Sequence, residues 1–557
     1  MQRAFILAFA VFVPSTHSAS PAASGRALFE GPRLCAEWEP SYGTLIRWPL
    51  GIPPALVVEL AEDDSLYVLV ETPAQQSQAE DAFQSWGVNL GHCRFVTAQT
   101  WSHWTRDWGP YSMFDGNGVW GITDPVFDGY PWIPGGPYRE YGESRGYEED
   151  DQVNAVLAEE FACPLHPFPA YLTGGNFMCD GHGYAFSTLA MLSENEAFWS
   201  HGQFLALAGE ELGLSSYFIT VNPEEFGIQH IDCCAKLLVE ETILLKQVPS
   251  WHPDYARLET IEDQLTTAIS CYGRPYEIVR IQCDPYSGSD VAAYTNSYIL
   301  NDKVLVPLFG IPSDAAALET YTEAMPGYEV IGFQSGSWYY YDALHCRTRE
   351  IMDRFMLLLW HRPLDDEMPC LPEYGIDAEV IAYSGEALAP DSLKVVWRTG
   401  AGEWQESPMV QSGPDSISGA IPGQPPGTVI DYYIVAADYS GRRETSPRSA
   451  PGGFHSFQVA ATGTGRSHDD SPLSIRIAPC PSSTLVEFAV TSCTSGGLDL
   501  SVFDMAGRLV HHQGLPVAEP GESVFQWAPE AGFPSGCYMA IVRNGSSSAC
   551  GRVLLVR

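Results

Sequence analysis

The chain has 557 residues, with 69 acidic and 29 basic side chains and a formal net charge of −40. A field of that sign repels polyanions and attracts cations, so we expect no nucleic-acid partner. Hydrophobic residues make up 45% of the sequence and charged residues 18%, which excludes a disordered chain and predicts several folded units.

The first residues predict an export signal. Arg3 precedes an apolar run at 4–13, and small and polar residues follow at 15–19. This order is typical of a secretory signal peptide, which we place at 1–20, and it predicts a secreted or cell-surface protein. A buried N-terminal strand is the alternative. No later apolar stretch reaches the roughly 20 residues of a membrane helix, so we predict no transmembrane segment.

Residues 28–365 alternate short strands with helices, which predicts a first domain of the α/β class. The expected elements are strands at 65–70, 183–187 and 237–246 and helices at 151–161 and 255–271. Turn residues at 115–118 and 301–302 predict two β-hairpins, the second of which leads into a strand at 303–307.

Beyond the first domain the helical periodicity disappears. Alternating segments at 393–398 and 429–436 predict strands of an immunoglobulin- or fibronectin-like β-sandwich at 370–459. A stretch rich in Gly, Ser, Thr and Asp at 460–472 predicts a flexible linker.

The last segment, 473–557, contains alternating apolar runs at 498–510 and 536–542 and a third run at 551–557. It resembles the C-terminal β-domains that sort or anchor exported bacterial proteins, including those of the type IX pathway, and it also resembles a flagellar-hook-cap-like β-module. We therefore expect it to engage the secretion machinery. Cys480, Cys493, Cys537 and Cys550 could form two disulfides in an exported protein, and the sequence leaves their pairing open.

Four separated segments of the first domain set reactive residues among glycines and aromatic residues. They are Trp-Thr-Arg-Asp-Trp-Gly-Pro at 104–110, Gly-Gly-Asn at 174–176, His-Ile-Asp at 230–232 and His-Cys-Arg-Thr at 345–348. On an extended segment His230 and Asp232 would point to the same side, about 7 Å apart. A thiol beside a base is an activated nucleophile, and a protonated His230 would favour the thiolate of Cys346. Each segment taken alone is equally consistent with a structural role.

Taken together and in order, these segments resemble the family of agmatine deiminases and bacterial peptidylarginine deiminases. Glu-Trp-Glu-Pro at 37–40, Tyr-Thr-Asn-Ser-Tyr at 294–298 and Val-Leu-Val-Pro at 304–307 follow the same pattern. The resemblance implies the pentein fold, a five-bladed α/β propeller. The fold expected for the whole chain is this propeller followed by two all-β sandwich modules. The resemblance also implies a reaction without a cofactor or a metal.

The resemblance further implies roles for particular side chains. These are nucleophile for Cys346, general acid and base for His230, guanidinium-gripping carboxylates for Asp107 and Asp232, a neighbour of the thiol for Asn296, and a border of the substrate entrance for Trp104. A planar guanidinium offers five N–H donors, so two carboxylates can each accept a forked pair of hydrogen bonds. Thiolate attack, loss of ammonia and hydrolysis of a thiouronium intermediate would leave a ureido group.

The substrate is less clearly predicted than the reaction. The domain order is similar to that of secreted bacterial peptidylarginine deiminases, which favours peptidylarginine. Members that prefer a C-terminal arginine carry an arginine pair after the first Asp segment, whereas 127–132 contain none. Arg139 or Arg145 could take that place or lie at the surface. Agmatine or free arginine as substrate, an amidinotransferase of the same fold, and an inactive surface adhesin stay open as alternatives.

Overall fold

The computed structural model describes residues 31–130, 147–225, 227–460 and, with short gaps, 473–555. Several predicted features lie outside the described residues: the signal peptide at 1–20, nearly all of the linker at 460–472, Arg139, Arg145, and the side chains of Cys480, Cys493, Cys537 and Cys550.

Helices and strands alternate through the first domain. The helices are α1 (Pro54–Leu60), α2 (Pro73–Trp86), α3 (Thr105–Trp108), α4 (Tyr147–Asp151), α5 (Val153–Glu160), α6 (Leu189–Asn195), α7 (His201–Leu212), α8 (Tyr255–Leu265) and α9 (Ser313–Ala324). Local sequence sets their ends. In α7, Ser200 and Gln203 form a reciprocal capping box, and Gly213 ends the helix in the left-handed conformation at φ +71°.

The strands of the first domain are short. They are β1 (Arg33–Leu34), β2 (Ser41–Arg47), β3 (Ser65–Val70), β4 (Cys93–Thr97), β5 (Tyr111–Phe114), β6 (Trp120–Val126), β7 (Leu165–Tyr171), β8 (Met178–Cys179), β9 (Tyr184–Thr188), β10 (Ser216–Thr220), β11 (Ala235–Val239), β12 (Thr242–Gln247), β13 (Glu277–Gln282), β14 (Pro285–Ser287), β15 (Asp290–Val291), β16 (Tyr298–Leu300), β17 (Lys303–Leu308), β18 (Glu329–Gln334) and β19 (Arg349–Met352).

Five sheets in the described part of this domain repeat one pattern, in which an antiparallel pair is followed by a parallel one. They are β19-β2-β3, β5-β6-β7, β8-β9-β10, β11-β12-β13 and β16-β17-β18. Strand β4 extends the first sheet and β1 the second. Parallel neighbours require a crossover, and helices supply it: α1 joins β2 to β3, α5 joins β6 to β7, and α8 joins β12 to β13.

A short turn precedes the first strand of each of these sheets. The turns are α3 before β5, Gly174–Asn176 before β8, Ile231–Cys233 before β11, the bend at Asn296 before β16, and His345–Arg347 before β19. Turns that follow one another along the chain touch: α3 contacts the second turn and the second contacts the third. The hydroxyl of Thr295 donates to the carbonyl of Asp232, and the amide of His345 donates to the carbonyl of Asn296. Arg106 Nε lies 3.4 Å from the His345 carbonyl, so the contacts return to α3.

Apolar side chains between the helices and the sheets form the core. Along α8 the buried residues are Leu258, Ile261 and Leu265, and this spacing of three and four places them on one helix face. Fully burying a leucine or isoleucine stabilises the fold by about 1.5–3 kcal/mol relative to exposure. This packing holds the sheets, and with them the five turns, in fixed positions.

A second, all-β unit follows the first domain after a connection of a few residues. Its strands are β20 (Leu357–Trp360), β21 (Glu367–Met368), β22 (Glu373–Ala382), β23 (Lys394–Thr399), β24 (Gln405–Pro408), β25 (Val410–Gly413), β26 (Ser416–Pro422), β27 (Val429–Ala437), β28 (Arg443–Ser446) and β29 (His455–Val459). They form the sheets β20-β22-β26-β25 and β21-β29-β27-β23-β24, with β28 beside β27. Ile376, Val395 and Tyr432 belong to one core that both sheets share.

The last unit is also built from strands. They are β30 (Leu473–Ala478), β31 (Val486–Ser492), β32 (Gly496–Asp504), β33 (Leu509–Ala518), β34 (Gly521–Trp527), β35 (Gly536–Asn544) and β36 (Ser547–Leu555). The two sheets β30-β31-β34 and β33-β32-β35-β36 contribute to one core that contains Phe488, Val502 and Trp527.

The structure confirms the α/β class of the first domain, the strand at Ser65–Val70 and both hairpins, which are β5-β6 and β16-β17. The strand expected at 237–246 is wrong: it is the hairpin β11-β12, because the chain turns at the adjacent Glu240 and Glu241. Among the described residues, no helix is long and apolar enough to cross a membrane.

Two helix predictions also differ from the structure. The helix expected at 255–271 ends at Leu265, where the hydroxyls of Thr266 and Thr267 bond to backbone carbonyls three residues earlier. The helix expected at 151–161 is the pair α4 and α5.

The boundary between the first two units also differs from the predicted one. Strand β20 (Leu357–Trp360) pairs with β22 of the second unit, although the sequence predicted a first domain that extends to 365.

Candidate active site

Cys346 lies in the turn before β19 and is 2% exposed. Its Sγ is 3.2 Å from Asn296 Nδ2, 3.7 Å from Asp232 Oδ2 and 3.8 Å from the carbonyl oxygen of Tyr341. Burial, reinforced by the charge of Asp232, raises the pKa of the thiol well above its usual range, although the Asn296 hydrogen bond opposes this. The resting site therefore holds a neutral thiol.

The amide of Asn296 connects the thiol to its surroundings. Its Oδ1 accepts hydrogen bonds from the backbone amides of Ala343 and Cys346, which fixes the orientation of the group. Its Nδ2 donates to Asp232 Oδ2 at 3.1 Å and to the sulfur. Asn296 thus lies beside the thiol, where the family resemblance expects it.

Asp232 is fully buried and already paired. Its Oδ2 lies 2.8 Å from His345 Nδ1 and accepts the Asn296 hydrogen bond. Burial alone would raise the pKa of this carboxyl, but the hydrogen bond and charge of His345, with His230 and Arg106 nearby, bring it below its ordinary value. Asp232 is therefore an anion in the resting site.

Asp107 is the opposite case. Its Oδ1 accepts a hydrogen bond from the Gly175 amide at 2.8 Å, and its Oδ2 accepts one from the Tyr130 hydroxyl. Burial and the nearby charge of Asp232 raise the pKa of Asp107 to about 7, although both hydrogen bonds lower it. In the described part of the chain it contacts no lysine or arginine. Its negative charge therefore lacks a fixed partner.

His230 is fully buried, and burial lowers its pKa to about 4. The imidazole is therefore neutral at physiological pH, so in the resting site it is not the cation that would favour the thiolate. Its Nδ1 is 3.7 Å from Asp107 Oδ1, and neither ring nitrogen has a hydrogen-bond partner among the described residues. A neutral, unbonded imidazole can accept a proton and give it back.

The His-x-Asp segment is not extended, as the sequence analysis assumed. His230 precedes a tight 3-10 turn at Ile231–Cys233, and Asp232 lies within that turn. Both side chains nevertheless approach the same point, next to the α-carbon of Gly175. A Cβ on Gly175 would lie 2.6 Å from His230 Nδ1, 2.7 Å from Asp107 Oδ1 and 3.2 Å from Asp232 Oδ2. Gly175 thus leaves room for three predicted site residues to converge.

Trp104 stands at the edge of this group and is only partly buried. Its ring lies edge-on to the ring of Tyr130, with 5.9 Å between the centroids. The backbone before it is held by the buried carboxylate of Asp150, which accepts from the amides of Trp101 and Ser102. Trp104 is thus placed beside the residue that covers Asp107.

Three residues that received no role from the sequence contact the site residues. His345 bridges Asp232 and Glu37, and Tyr130 bonds to Asp107. The signals available were the position of His345 directly before Cys346 and the position of Glu37 in the Glu-Trp-Glu-Pro segment. No comparable signal marked Tyr130. In the part of the chain that the structure describes, no group of three His, Cys, Asp or Glu side chains is arranged to hold a metal ion.

Residues 33–351 match the family model of the Porphyromonas-type peptidyl-arginine deiminases. The chain belongs to this family. The match confirms the resemblance inferred from the sequence, and with it a deiminase of guanidino groups. It covers the first domain and neither of the two β units.

Curated relatives agree with this assignment. An agmatine deiminase of Pseudomonas putida strain F1 is 25% identical over 341 residues, which is 54% of this chain and 90% of that protein. The agmatine deiminase of strain KT2440 is 24% identical over the same length and coverage. Among solved structures, the agmatine deiminase of Enterococcus faecalis aligns with a TM-score of 0.50 at 18% identity, covering 59% of this chain and all of the other. That likeness concerns the fold, which is of the pentein deiminase type.

The convergence on Gly175 leads to a first prediction. In Gly175→Ala the new methyl group would push His230 and Asp107 apart, and displacements of about 1 Å at a reacting centre cost about 100-fold in rate. We expect kcat/KM for the guanidino substrate to fall by that order while the protein remains folded. Gly202→Ala is the matched control, because a Cβ there meets nothing within 4 Å. A folded Gly175→Ala protein with wild-type kinetics would contradict the arrangement.

Tyr130 leads to a second prediction, on pH dependence. Asp107 must be ionised to hold a cation, so kcat/KM should rise with pH through about 7, the pKa of Asp107 in the free protein. The Tyr130 hydrogen bond lowers that pKa, so Tyr130→Phe should move this acid limb to higher pH. Tyr147→Phe, which keeps a ring packed edge-on against Tyr130, is the control and should leave the limb in place. A limb that stays fixed or moves down in Tyr130→Phe would refute the assignment.

Proposed function

We propose that this protein hydrolyses the guanidinium of peptidylarginine to a ureido group, with release of ammonia, through a covalent intermediate on Cys346. The observation that carries the proposal is the convergence of a buried thiol, two carboxylates and an imidazole without a hydrogen-bond partner. The pKa is lowered for the carboxylate of Asp232 and raised for that of Asp107. A cation bound there would give Asp107 the positive partner that it lacks.

Substrate binding is the first step. The guanidinium would lie between Asp107 and Asp232, and its N–H groups would displace the Tyr130 hydroxyl from Asp107. Its positive charge would hold Asp107 in the ionised form. Burial and the charges of nearby carboxylates raise the pKa of the Cys346 thiol, and the charge of the guanidinium would oppose both, so the thiolate would form when substrate is present.

In the chemical steps, His230 carries the protons. The imidazole of His230 takes the proton of the Cys346 thiol, and the thiolate adds to the guanidinium carbon. His230 then delivers that proton to the departing nitrogen as the carbon–nitrogen bond breaks. Ammonia leaves and a thiouronium remains on the sulfur. Water, deprotonated by His230, adds to the same carbon, the carbon–sulfur bond breaks, and the ureido product and the thiol are released.

A run of three tyrosines supports a peptide over a small amine as substrate. The carbonyl of Tyr341 lies 3.8 Å from the Cys346 sulfur, so this segment borders the site. The rings of Tyr339 and Tyr340 pack against that of Tyr341, and Tyr339 is 53% exposed. Exposed aromatic rings beside a reactive centre offer contact area to residues that flank an arginine. The agmatine named for the relatives is the second candidate.

The architecture around the site belongs to the same proposal. The five repeated sheets and the ring of turns support closure into a five-bladed propeller with the site on its axis. Two facing sheets with one core support a sandwich of immunoglobulin type for the second unit, and a similar pair supports a sandwich for the last. We further propose export through residues 1–20 and engagement of the secretion machinery by 473–557.

The direct test measures ureido formation by the purified protein and by Cys346→Ala. The substrates are a peptide with an internal arginine, a peptide that ends in arginine, free arginine and agmatine, all at one concentration. We expect citrulline from a peptide and none from Cys346→Ala. Cys283→Ala, which removes a buried thiol of the core, is the control and should remain active. No product from any of the four substrates would refute the deiminase reaction, and product from agmatine alone would move the substrate to that amine.

The tyrosine run gives a separate prediction on substrate class. Tyr339→Ala should raise KM for an arginine peptide by about 5- to 10-fold, since losing one aromatic contact costs about 1 kcal/mol or more. The kcat/KM for agmatine should not change, because agmatine is too short to reach that ring. Tyr439→Ala, which removes an exposed ring from the second unit, should leave both values unchanged. Equal loss with both substrates would show that Tyr339 does not contact a peptide.

A further inference from the structure

His345 lies between two carboxylates, the fully buried Asp232 and the partly buried Glu37. Its Nδ1 is 2.8 Å from Asp232 Oδ2, its Nε2 is 2.9 Å from Glu37 Oε2, and its side chain is 3% exposed. An ionised carboxylate oxygen can only accept a hydrogen bond, so each ring nitrogen must donate a proton. The geometry is that of an imidazolium, unlike the neutral ring of His230.

Glu37, on the side of the His345 ring away from Asp232, is held by residues of β11 and β16. Glu37 Oε1 accepts from Lys236 Nζ at 2.5 Å and from the backbone amide of Ile299 at 2.8 Å. Lys236 Nζ also donates to the carbonyl of Ser297. Burial raises the pKa of Glu37, but Lys236 and His345 outweigh it and hold the group well below its usual range. Glu37 is therefore a fixed anion on the far side of the His345 ring.

The near end of the bridge is Asp232. The bonds from His345 and Asn296 both fall on Oδ2, which is also the oxygen 3.7 Å from the Cys346 sulfur, while Oδ1 accepts a bond from the Cys233 thiol at 3.7 Å. Arg106 cannot substitute for His345, because its guanidinium pairs with Glu350 at 2.8 Å and only its Nε approaches the His345 carbonyl. In the described part of the chain, His345 is the one cationic side chain that forms an ion pair with Asp232.

We propose that His345 is a positioning residue: a protonated strut, held from behind by Glu37 and Lys236, that keeps Asp232 ionised and fixes the orientation of its carboxylate beside Cys346. The inference rests on the proposed function. His345 does not touch the substrate; it acts on the reaction through Asp232.

The test is His345→Gln, which keeps a hydrogen-bonding side chain but removes the positive charge. We expect kcat/KM to fall by about 100-fold, the cost of a misplaced binding group, mainly through a higher KM. A second readout is the acid limb of kcat/KM. The groups that face Asp232 are His345, His230, Asn296 and Cys346, with Arg106 behind them. Without the strut, Asp232 would titrate together with Asp107, so the limb should steepen from one proton toward two.

A matched control separates this role from loss of a buried histidine. His361 is 2% exposed, and its ring nitrogens contact the Asp377 carbonyl and the Tyr432 hydroxyl in the second unit. His361→Gln should leave KM and the acid limb unchanged. Glu37→Gln keeps the size of the anchor and removes its charge, and it should raise KM and steepen the limb less than His345→Gln does. It carries the test if His345→Gln does not fold.

The outcomes are distinct. A folded His345→Gln protein with wild-type KM and a one-proton acid limb overturns the strut and leaves the proposed function intact. If only Glu37→Gln folds, the same result for that variant has the same consequence. A wild-type protein that converts no guanidino substrate overturns the proposed function, and the strut with it. Equal changes in His345→Gln and His361→Gln would show a general loss of stability and also refute the strut.

Discussion

The site depends on how two buried carboxylates are compensated. Removing a carboxylate from water is costly unless a cation or strong hydrogen bonds replace the solvent. Asp232 has such a cation in His345, and its pKa is lowered, whereas Asp107 has none and its pKa rises to about 7. The resting site thus lacks one positive charge. A guanidinium would supply it. Burial, reinforced by the charge of Asp232, keeps the Cys346 thiol neutral in the resting site.

The positions of these groups follow from the repeated sheets. Asp107, Asp232 and Cys346 each lie on a turn directly before the first strand of a sheet, so main-chain pairing within the sheet determines where the turn stands. Asp107 and Cys346 are 239 residues apart in sequence, and yet Arg106, beside Asp107, reaches the carbonyl of His345, beside Cys346. The backbone of Gly175 then allows His230 and the two carboxylates to approach one point. A reactive centre built in this way tolerates little change in any single turn.

The sequence predicted the reactive segments because each contains its chemistry within a few residues. It could not predict the bond between His345 and Glu37, whose partners are 308 residues apart and meet only when the sheets close around them. The assumption that His-x-Asp is extended failed for a local reason, since a 3-10 turn begins directly after His230 and contains Asp232. The sequence also could not give the charge of His230, because that charge depends on burial, and burial is a property of the fold.

The difference in charge between substrate and product explains how a product would leave. Under the proposed reaction a cation enters and an uncharged ureido group remains, so the charge-assisted hydrogen bonds that held the substrate are lost. Asp107 then again has no cationic partner, and with a pKa of about 7 it can take up a proton and recover its bond to Tyr130. Asp232 needs no such adjustment, because His345 remains in place. One carboxylate would thus respond to each turnover while the other stays fixed, and this division of roles requires a permanent cation behind only one of them.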